Sequence, residues 1–508
     1  MIPDAKGARF SPLTLLAMAA LLGILALHLV LVLQGAGRLR DQHLGTALLY
    51  ASGNMDVVRP VIVGFNAGGT PTPLEFPLWL AATGATMRVL GQWWGWGNVM
   101  AWLLFASCLV PFHRLAARHL GGDAAGWATL ALLAQPLIVL QAGQAGTDGT
   151  ALAASVWLIW AIDRMVRDGS WRFCAAAAAC AMLSATQKLP FFMAAGIAGL
   201  GLVAAQRPVE LRRWVQLGFV GAVGTGAFYL WTRHADHELV LSEFPFIDLR
   251  VAGNPAMQDW YFGSWSYRLD PGNWIRAGYR LAQGVLGSFL LLPLVCWAAF
   301  DRRQWFARWW LGGVLVATLV FTHLVLHHWH YYLMVSPAFA LLVGGGLAQL
   351  TARVPLAKVT SRWTLPALGS LLLLLASVQG LHGSHFLLRD DFPRHAAATL
   401  TEHTRPTDRL LVAGGGWGGL ELILSQRQGL TIANAAFLEN SARLLRLRTL
   451  GYNKLVLLSQ SPKNAAISVI GGSQVIRRSW RELLTPAVRD WPVLFEDENI
   501  SIRALPTQ

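Results

Sequence analysis

Residues 11–34 read SPLTLLAMAALLGILALHLVLVLQ, from Ser11 to Gln34, without one Asp, Glu, Lys or Arg. A helix of that length crosses the hydrocarbon core of a bilayer, and the run is too long for the h-region of a cleaved signal peptide. Lys6 and Arg9 precede it. The reading is a retained first span with its N-terminus in the cytoplasm. Working outward, apolar runs recur near 97–118, 122–143, 148–166, 171–187, 189–206, 214–232, 276–300, 307–327, 331–351 and 364–382. Eleven spans are therefore expected.

The connections between runs test that count. With the N-terminus inside, the cytoplasmic loops carry Arg114 and Arg118; Arg164, Arg167 and Arg172; Arg207, Arg212 and Arg213; Arg302, Arg303 and Arg308; and Arg353, Lys358 and Arg362. The opposite short connections, at 144–147, 188 and 328–330, hold one Lys and several His. Every short loop agrees with one orientation under the positive-inside rule. The formal net charge of +14 is thus a matter of topology, and nucleic acid is not an expected partner. Only 13% of residues are charged, about half the share in soluble proteins. A soluble enzyme, a disordered chain and a disulfide-stapled secreted domain are excluded. Cys108, Cys174, Cys180 and Cys296 lie in apolar stretches without ligand spacing, and read as small hydrophobes.

This organisation leaves two long outward segments, 35–96 and 233–275. An odd span count also puts the tail outside. Residues 1–382 then form a membrane domain and 383–508 a small extracytoplasmic α/β domain, with strand-like runs at Leu410–Ala413, Lys454–Leu458, Val493–Phe495 and Ile500–Ala504. The tail holds Gly414-Gly415-Gly416-Trp417-Gly418-Gly419, which has dinucleotide-fingerprint spacing. That fingerprint also needs an acid about twenty residues on, where Leu430-Thr431-Ile432-Ala433-Asn434 has none. A glycine turn is expected, and no NAD.

Residues 36–92 are the informative stretch. Arg38 and Asp41 follow the first span directly; Glu75-Phe76-Pro77-Leu78 then opens an amphipathic piece, Leu78 to Leu90, that is short for a crossing and suits the interface. An acid at the lip of a span is costly without a partner or a task. Asp41 reads as a site acid or as a partner of Arg38 or Arg40. Asp148 reads as a site acid or as a helix cap beside Thr147, Glu75 as a site carboxylate or a loop charge, and Asp56 as a surface residue. Lys188, one of few lysines, lies between two apolar runs; it either snorkels to headgroups or binds phosphate. Arg59, Arg233 and His330 are companions, with headgroup contact as the plainer role for an Arg. His323 and His327 are spaced i, i+4, with His328 and His330 beyond; no carboxylate adjoins them, so packing outweighs metal binding.

Arg38-x-x-Asp41 after the first span and Glu75-Phe76-Pro77-Leu78 before an interfacial helix resemble the GT-C membrane glycosyltransferases, in the branch of the protein O-mannosyltransferases and the aminoarabinose transferase of lipid A. Gly146-Thr147-Asp148, Thr186-Gln187-Lys188 and His330-Tyr331-Tyr332 before Pro337 follow in the family's order, and the resemblance covers essentially the whole chain. It implies a polytopic helical membrane protein of GT-C type with an outward C-terminal domain. The implied activity is transfer of a sugar, with inversion, from a polyprenyl-phosphate donor to a glycolipid, glycan or protein of the envelope, in a bacterial inner membrane.

On that resemblance Asp41 engages the acceptor, as general base or through a metal, and Asp148 organises the acceptor side or a divalent ion. Lys188, Arg59, Arg233, His330 and Tyr331 bind donor phosphate, and Arg38 and Glu75 serve the acceptor loop. Phe76 departs from the lysine that the aminoarabinose transferase has at that place, so the identity of donor and acceptor does not carry over from it. A lipid-linked-sugar flippase is the rival from another class, although charge is nearly absent from the spans and polar groups gather on one face. An oligosaccharide polymerase or ligase is the second rival, and it would lack the early paired motifs.

Overall fold

The computed structural model describes residues 12–34, 41–53, 56–61, 74–93, 95–144, 146–206, 208, 210–240, 253–353, 364–383, 392–414, 419–432, 438–459 and 479–506. The chain is a multi-pass membrane protein built of helices, followed by a small sheet domain. The helices are α1 (Pro12–Gln34), α2 (Asp41–Ala51), α3 (Leu78–Leu90), α4 (Gly95–Leu120), α5 (Gly122–Ala134), α6 (Pro136–Gln141), α7 (Thr147–Asp168) and α8 (Trp171–Gln187). They continue as α9 (Leu189–Ala204), α10 (Leu211–Val240), α11 (Pro255–Phe262), α12 (Trp265–Leu269), α13 (Pro271–Arg280), α14 (Leu292–Phe300), α15 (Trp305–Val320), α16 (Thr322–His327), α17 (Ser336–Arg353) and α18 (Thr364–Gly383).

Helix covers every apolar run, but the count of eleven straight spans does not transfer simply. Among the described residues, four helices are long and apolar enough to cross alone, or five if one bent pair counts as a span. That pair, Pro271–Leu286 and Phe289–Phe300, bends by 87° within the run expected to cross at 276–300. Gly287 makes the bend with φ +77°, and a Cβ there would meet the Ala376 carbonyl at 2.3 Å. Only glycine suits both demands. The run expected at 122–143 likewise divides at Gln135, because Pro136 cannot continue α5 and starts α6 instead.

The interior is one large apolar cluster drawn from α1, α4, α5, α7, α8, α9, α15 and α17. Outward faces stay apolar: Leu22, Leu230, Leu290, Leu374 and Leu375 are all exposed. Such surface is tolerable only against lipid. Small residues permit the tightest crossings. Gly313 on α15 lies so near α9 that a Cβ would sit 2.4 Å from the Ala194 carbonyl, whereas its neighbour Gly312 has nothing within 4 Å.

The C-terminal domain packs α19 (Phe392–His403), α20 (Leu420–Leu424) and α21 (Ser441–Thr449) with strands β1 (Arg409–Ala413), β2 (Gln428–Ile432), β3 (Tyr452–Leu458), β4 (Val493–Glu496) and β5 (Ile500–Ala504). The sheet order is β2-β1-β3-β5-β4, with β1 parallel to β2 and β3, and β5 antiparallel to β3 and β4. Gly414 ends β1 against the Leu458 carbonyl of β3. Residues 415–418 of the glycine run lie outside the described residues. α20 ties the two parts of the chain together. Its Leu424 packs on the cluster that α2 and α3 build from Ala47, Tyr50, Trp79, Leu80 and Met87.

On the same helix Glu421 is buried, and its Oε1 has no hydrogen-bond partner among the described residues. Burial pushes its carboxyl up to about 7 from an ordinary 4.5. Between those values the folded chain keeps a proton that the unfolded chain has lost, so stability falls as pH rises through the window and levels off above it. Glu421→Gln should remove that slope. Hydrogen exchange of residues 419–432 checks this: the variant should be better protected than wild type at about pH 8, and the two should match at about pH 4. Separately, Gly313→Ala should destabilise by about 1–3 kcal/mol through overpacking, while Gly312→Ala should be neutral or slightly stabilising. Thermal unfolding of the two purified variants decides it.

Candidate active site

The strap 74–76 is pinned from two sides before α3 begins. The Phe76 amide donates to the Thr186 carbonyl (3.1 Å), the Gln187 side-chain amide donates back to the Phe76 carbonyl, and the Trp231 indole donates to the Leu74 carbonyl (2.9 Å). The Phe76 ring stands edge-on to Trp231 at 5.0 Å. Phe76 therefore contributes an apolar anchor to the strap. Fixing both neighbours leaves Glu75 aimed at the hairpin between α8 and α9.

Lys188 is the apex of that hairpin. Its backbone is extended (φ −153°, ψ 101°), and Pro190 restarts the helix just after it. The side chain is 9% exposed, and Nζ lies 2.5 Å from Glu75 Oε1 and 3.8 Å from Asp148 Oδ1. Nζ also lies 5.2 Å from the centre of the Tyr331 ring, within cation–π range. His330 Nε2 is 3.9 Å from the same Asp148 oxygen. Tyr331 and His330 belong to a 3-10 segment, Trp329–Val335, that precedes α17.

Asp148 is 1% exposed and stands in the first turn of α7, where the helix N-terminus favours a carboxylate. Gly146, not Asp148, holds the capping position, so the plain cap reading does not describe its geometry. Thr150 on the next turn donates to Gln187 Oε1 at 3.2 Å. This links α7 to the hairpin that carries Lys188.

The structure thus brings together Glu75, Asp148, Lys188, His330 and Tyr331. It keeps two companions apart. Arg59 donates through Nε to Glu238 at 3.0 Å, and Arg233 is exposed, 3.2 Å from the Tyr229 hydroxyl on its own helix. Asp41 is the first residue of α2; its side chain, and Arg38 entirely, lie outside the described residues. Asp56 is exposed and accepts the Val58 and Arg59 amides at 3.0 Å each, as a loop residue does.

Sequence reading missed the neutral members. Tyr261 on α11 is half-buried and close enough to Glu75 and Lys188 to feel both charges; desolvation first, then the Glu75 carboxylate, raise its hydroxyl. Gln187 and Trp231 do the pinning. None carries a charge, and only the aromatic run Trp260-Tyr261-Phe262 in an outward segment hinted at a packed patch. The histidines have bland partners: the Trp260 ring lies 5.1–5.3 Å from His323, His327 and His328. Among the described residues no three His, Cys, Asp or Glu side chains gather as metal ligands.

The chain matches no protein-family model, and no curated protein matches it by sequence. Its structure is similar to that of ArnT from Cupriavidus metallidurans bound to undecaprenyl phosphate. The TM-score is 0.60 at 15% identity, over 97% of this chain and 98% of that one. The arabinofuranosyltransferase AftD from Mycobacteria gives 0.50 at 14% identity, over 98% of this chain and 40% of that longer one. The archaeal oligosaccharyltransferase AglB from Archaeoglobus fulgidus, in complex with an inhibitory peptide and a dolichol-phosphate, gives 0.51 at 11% identity, over 87% and 69%. All three are GT-C proteins, and the fold of this chain is that of the GT-C membrane glycosyltransferases.

Removing one partner of a buried ion pair strands the other charge, at about 3–5 kcal/mol, whereas removing both can be nearly neutral. Glu75→Gln and Lys188→Met should each lower the unfolding midpoint, and the double variant should lose less than the sum. A thermal double-mutant cycle measures this coupling.

Proposed function

We propose that this chain is an inverting glycosyltransferase that moves a sugar from a polyprenyl-phosphate carrier to an envelope acceptor, with its site on the extracytoplasmic face. The observation carrying this reading is the convergence of Glu75, Lys188, Asp148 and His330 at one end of a GT-C fold, beneath a strap pinned over it. The similarity to a structure holding undecaprenyl phosphate supports a lipid-phosphate donor.

In this reading the acceptor hydroxyl oxygen attacks the anomeric carbon from the side opposite the phosphate. The bond from that carbon to the phosphate oxygen breaks, its electron pair leaves with the polyprenyl phosphate, and the configuration inverts. The hydroxyl proton passes to a carboxylate, which we assign to Asp41. Lys188 neutralises the charge growing on the departing phosphate, with His330 and the Tyr331 face beside it. Glu75 holds Lys188 until the donor arrives, so donor binding exchanges a carboxylate for a phosphate at one ammonium.

Asp148 then orients Lys188 and His330. A divalent ion does not fit among the described donors: Asp148 and Glu75 both face the Lys188 ammonium, which fills the place between them. No step is routed through a metal. Arg59 and Arg233 take no part in this reading, being engaged elsewhere.

The test is mass spectrometry of envelope glycans and glycolipids from wild type, a deletion strain, and deletions complemented with Asp41→Asn or Lys188→Met. A single sugar mass should be missing in the deletion and in both variants while each protein still inserts. Lys188→Met should slow transfer roughly 10²–10³-fold in membranes. A wild-type profile with Lys188→Met would reject the phosphate assignment, and a wild-type profile with Asp41→Asn would reject the base.

A further inference from the structure

At the end of α7 away from Asp148, roughly 22 Å further along the helix, a charged cavity opens between α4 and α7. Its volume is about 390 Å³, and it is lined by Arg114, Arg118, Trp160, Asp163, Arg164 and Arg167. That volume lies within the range of small-ligand sites. The candidate active site uses none of these residues.

The charges do not balance. Asp163 is 3% exposed and takes Arg118 Nε at 2.9 Å and Arg167 Nη2 at 2.8 Å, with His119 Nε2 at 3.5 Å. Arg164, which lines the cavity, pairs with Asp168 at 2.9 Å and lies over the Phe173 ring, while its Nε is buried without a hydrogen-bond partner among the described residues. Arg114 makes no ion pair among the described residues, and it lines the same cavity. Four guanidinium groups thus face two carboxylates, one of them outside the cavity, which leaves an excess of two positive charges around it.

The walls identify what would neutralise them. Trp157 and Trp160 meet edge to face at 5.3 Å, Trp160 meets Phe173 at 5.9 Å, and Leu103, Leu104 and Val110 of α4 are exposed beside them. Trp160 lies one turn of α7 inward of Arg164, so the arginines mark the headgroup level, and the exposed Leu and Val of α4 further in mark the acyl chains. Guanidinium forks match phosphate oxygens, and a basic pocket between spans suits an anionic headgroup.

We infer that this cavity binds the phosphodiester headgroup of an anionic bilayer lipid, with Arg114 and Arg164 as its ligands and Asp163 holding Arg118 and Arg167 in place. The lipid's acyl chains run down the exposed face of α4. By the distribution of arginines this is the inner leaflet, opposite the proposed transfer site. The lipid is then a resident of the fold and no substrate.

Native mass spectrometry of the purified full chain tests this, with short-chain phosphatidylglycerol, short-chain phosphatidylcholine and inorganic phosphate as separate additions. One phosphatidylglycerol should be retained, and neither of the other two should bind or displace it. Arg114→Gln, at an exposed residue without an ion-pair partner among those described, should weaken retention about tenfold or more. Arg302→Gln, exposed on the same face but outside the cavity, should leave it unchanged. Equal retention in Arg114→Gln, equal loss in Arg302→Gln, or equal binding of phosphatidylcholine would each overturn the site. Displacement by inorganic phosphate alone would make the ligand a free anion and overturn the assignment to lipid.

Discussion

A bilayer offers no water to a bare carbonyl, so a membrane helix can break only where something else takes its hydrogen bonds. Among the described residues, several breaks have a side chain assigned to them. The carbonyl of Val139, in α6, is met by His28 Nε2 at 2.7 Å, and that of Gly143 by the Asn98 amide at 2.6 Å. Ser336, where the 3-10 segment passes into α17, is met by the Gln135 amide at 2.9 Å. Arg268 covers the carbonyls of Leu319 and Val320 at the end of α15, and Arg280 covers that of His327 at 2.9 Å. Because breaks are supportable only in company, they gather. α6, the segment Leu281–Leu286 and the segment Trp329–Val335 pack against one another beside the N-termini of α7 and α9.

That gathering is also what makes a buried charge cluster possible. Lys188 can leave the helical path only because α8 and α9 part there, and Asp148 is buried only because α7 starts there. Desolvating an ammonium and two carboxylates is expensive unless each charge finds its counterpart at short range. Glu75 supplies the nearest one, and it comes from a segment that follows the first span, over a hundred residues away in sequence. The strap 74–76 is therefore pinned by backbone hydrogen bonds at both neighbours of Glu75, which fixes its position more firmly than a free loop could.

How far the sequence revealed this depended on whether the signal was charge or geometry. Lys188, Asp148 and Glu75 were visible because charge is rare in an apolar chain, and an isolated instance at a span end demands a reason. Arg59 looked equivalent, yet its partner Glu238 lies far along the chain, and nothing local announces such a pair. Tyr261, Gln187 and Trp231 escaped because a neutral residue that pins a backbone resembles any other neutral residue at an interface. Hydropathy likewise read 276–300 as one crossing, since an average over a window is blind to direction; Gly287 was the one local trace of the 87° bend. Four of the five strands of the C-terminal domain were legible from β-branched and aliphatic runs, and β2 was not among them. β2 escaped because Gly429 interrupts its pattern to make room for Leu422 and the Leu410 carbonyl.

α7 carries a buried aspartate near each end, and the contrast shows what position does to one residue type. Near the C-terminal end the backbone carbonyls present negative charge, so Asp163 is tolerable only when held by Arg118, Arg167 and His119, two of them within 3 Å. Near the N-terminal end the helix itself favours a carboxylate, and Asp148 sits 3.8 Å from the Lys188 ammonium and 3.9 Å from the His330 ring. An acid stabilised partly by a fixed backbone dipole can tolerate a rearrangement of its side-chain neighbours; an acid stabilised by three side chains locks them. The same helix therefore has a fixed post at one end and an adaptable one at the other. Under the proposed reading, a site that exchanges a carboxylate for a phosphate at Lys188 requires the second kind, and the N-terminus of α7 is the place on that helix where the physics supplies it.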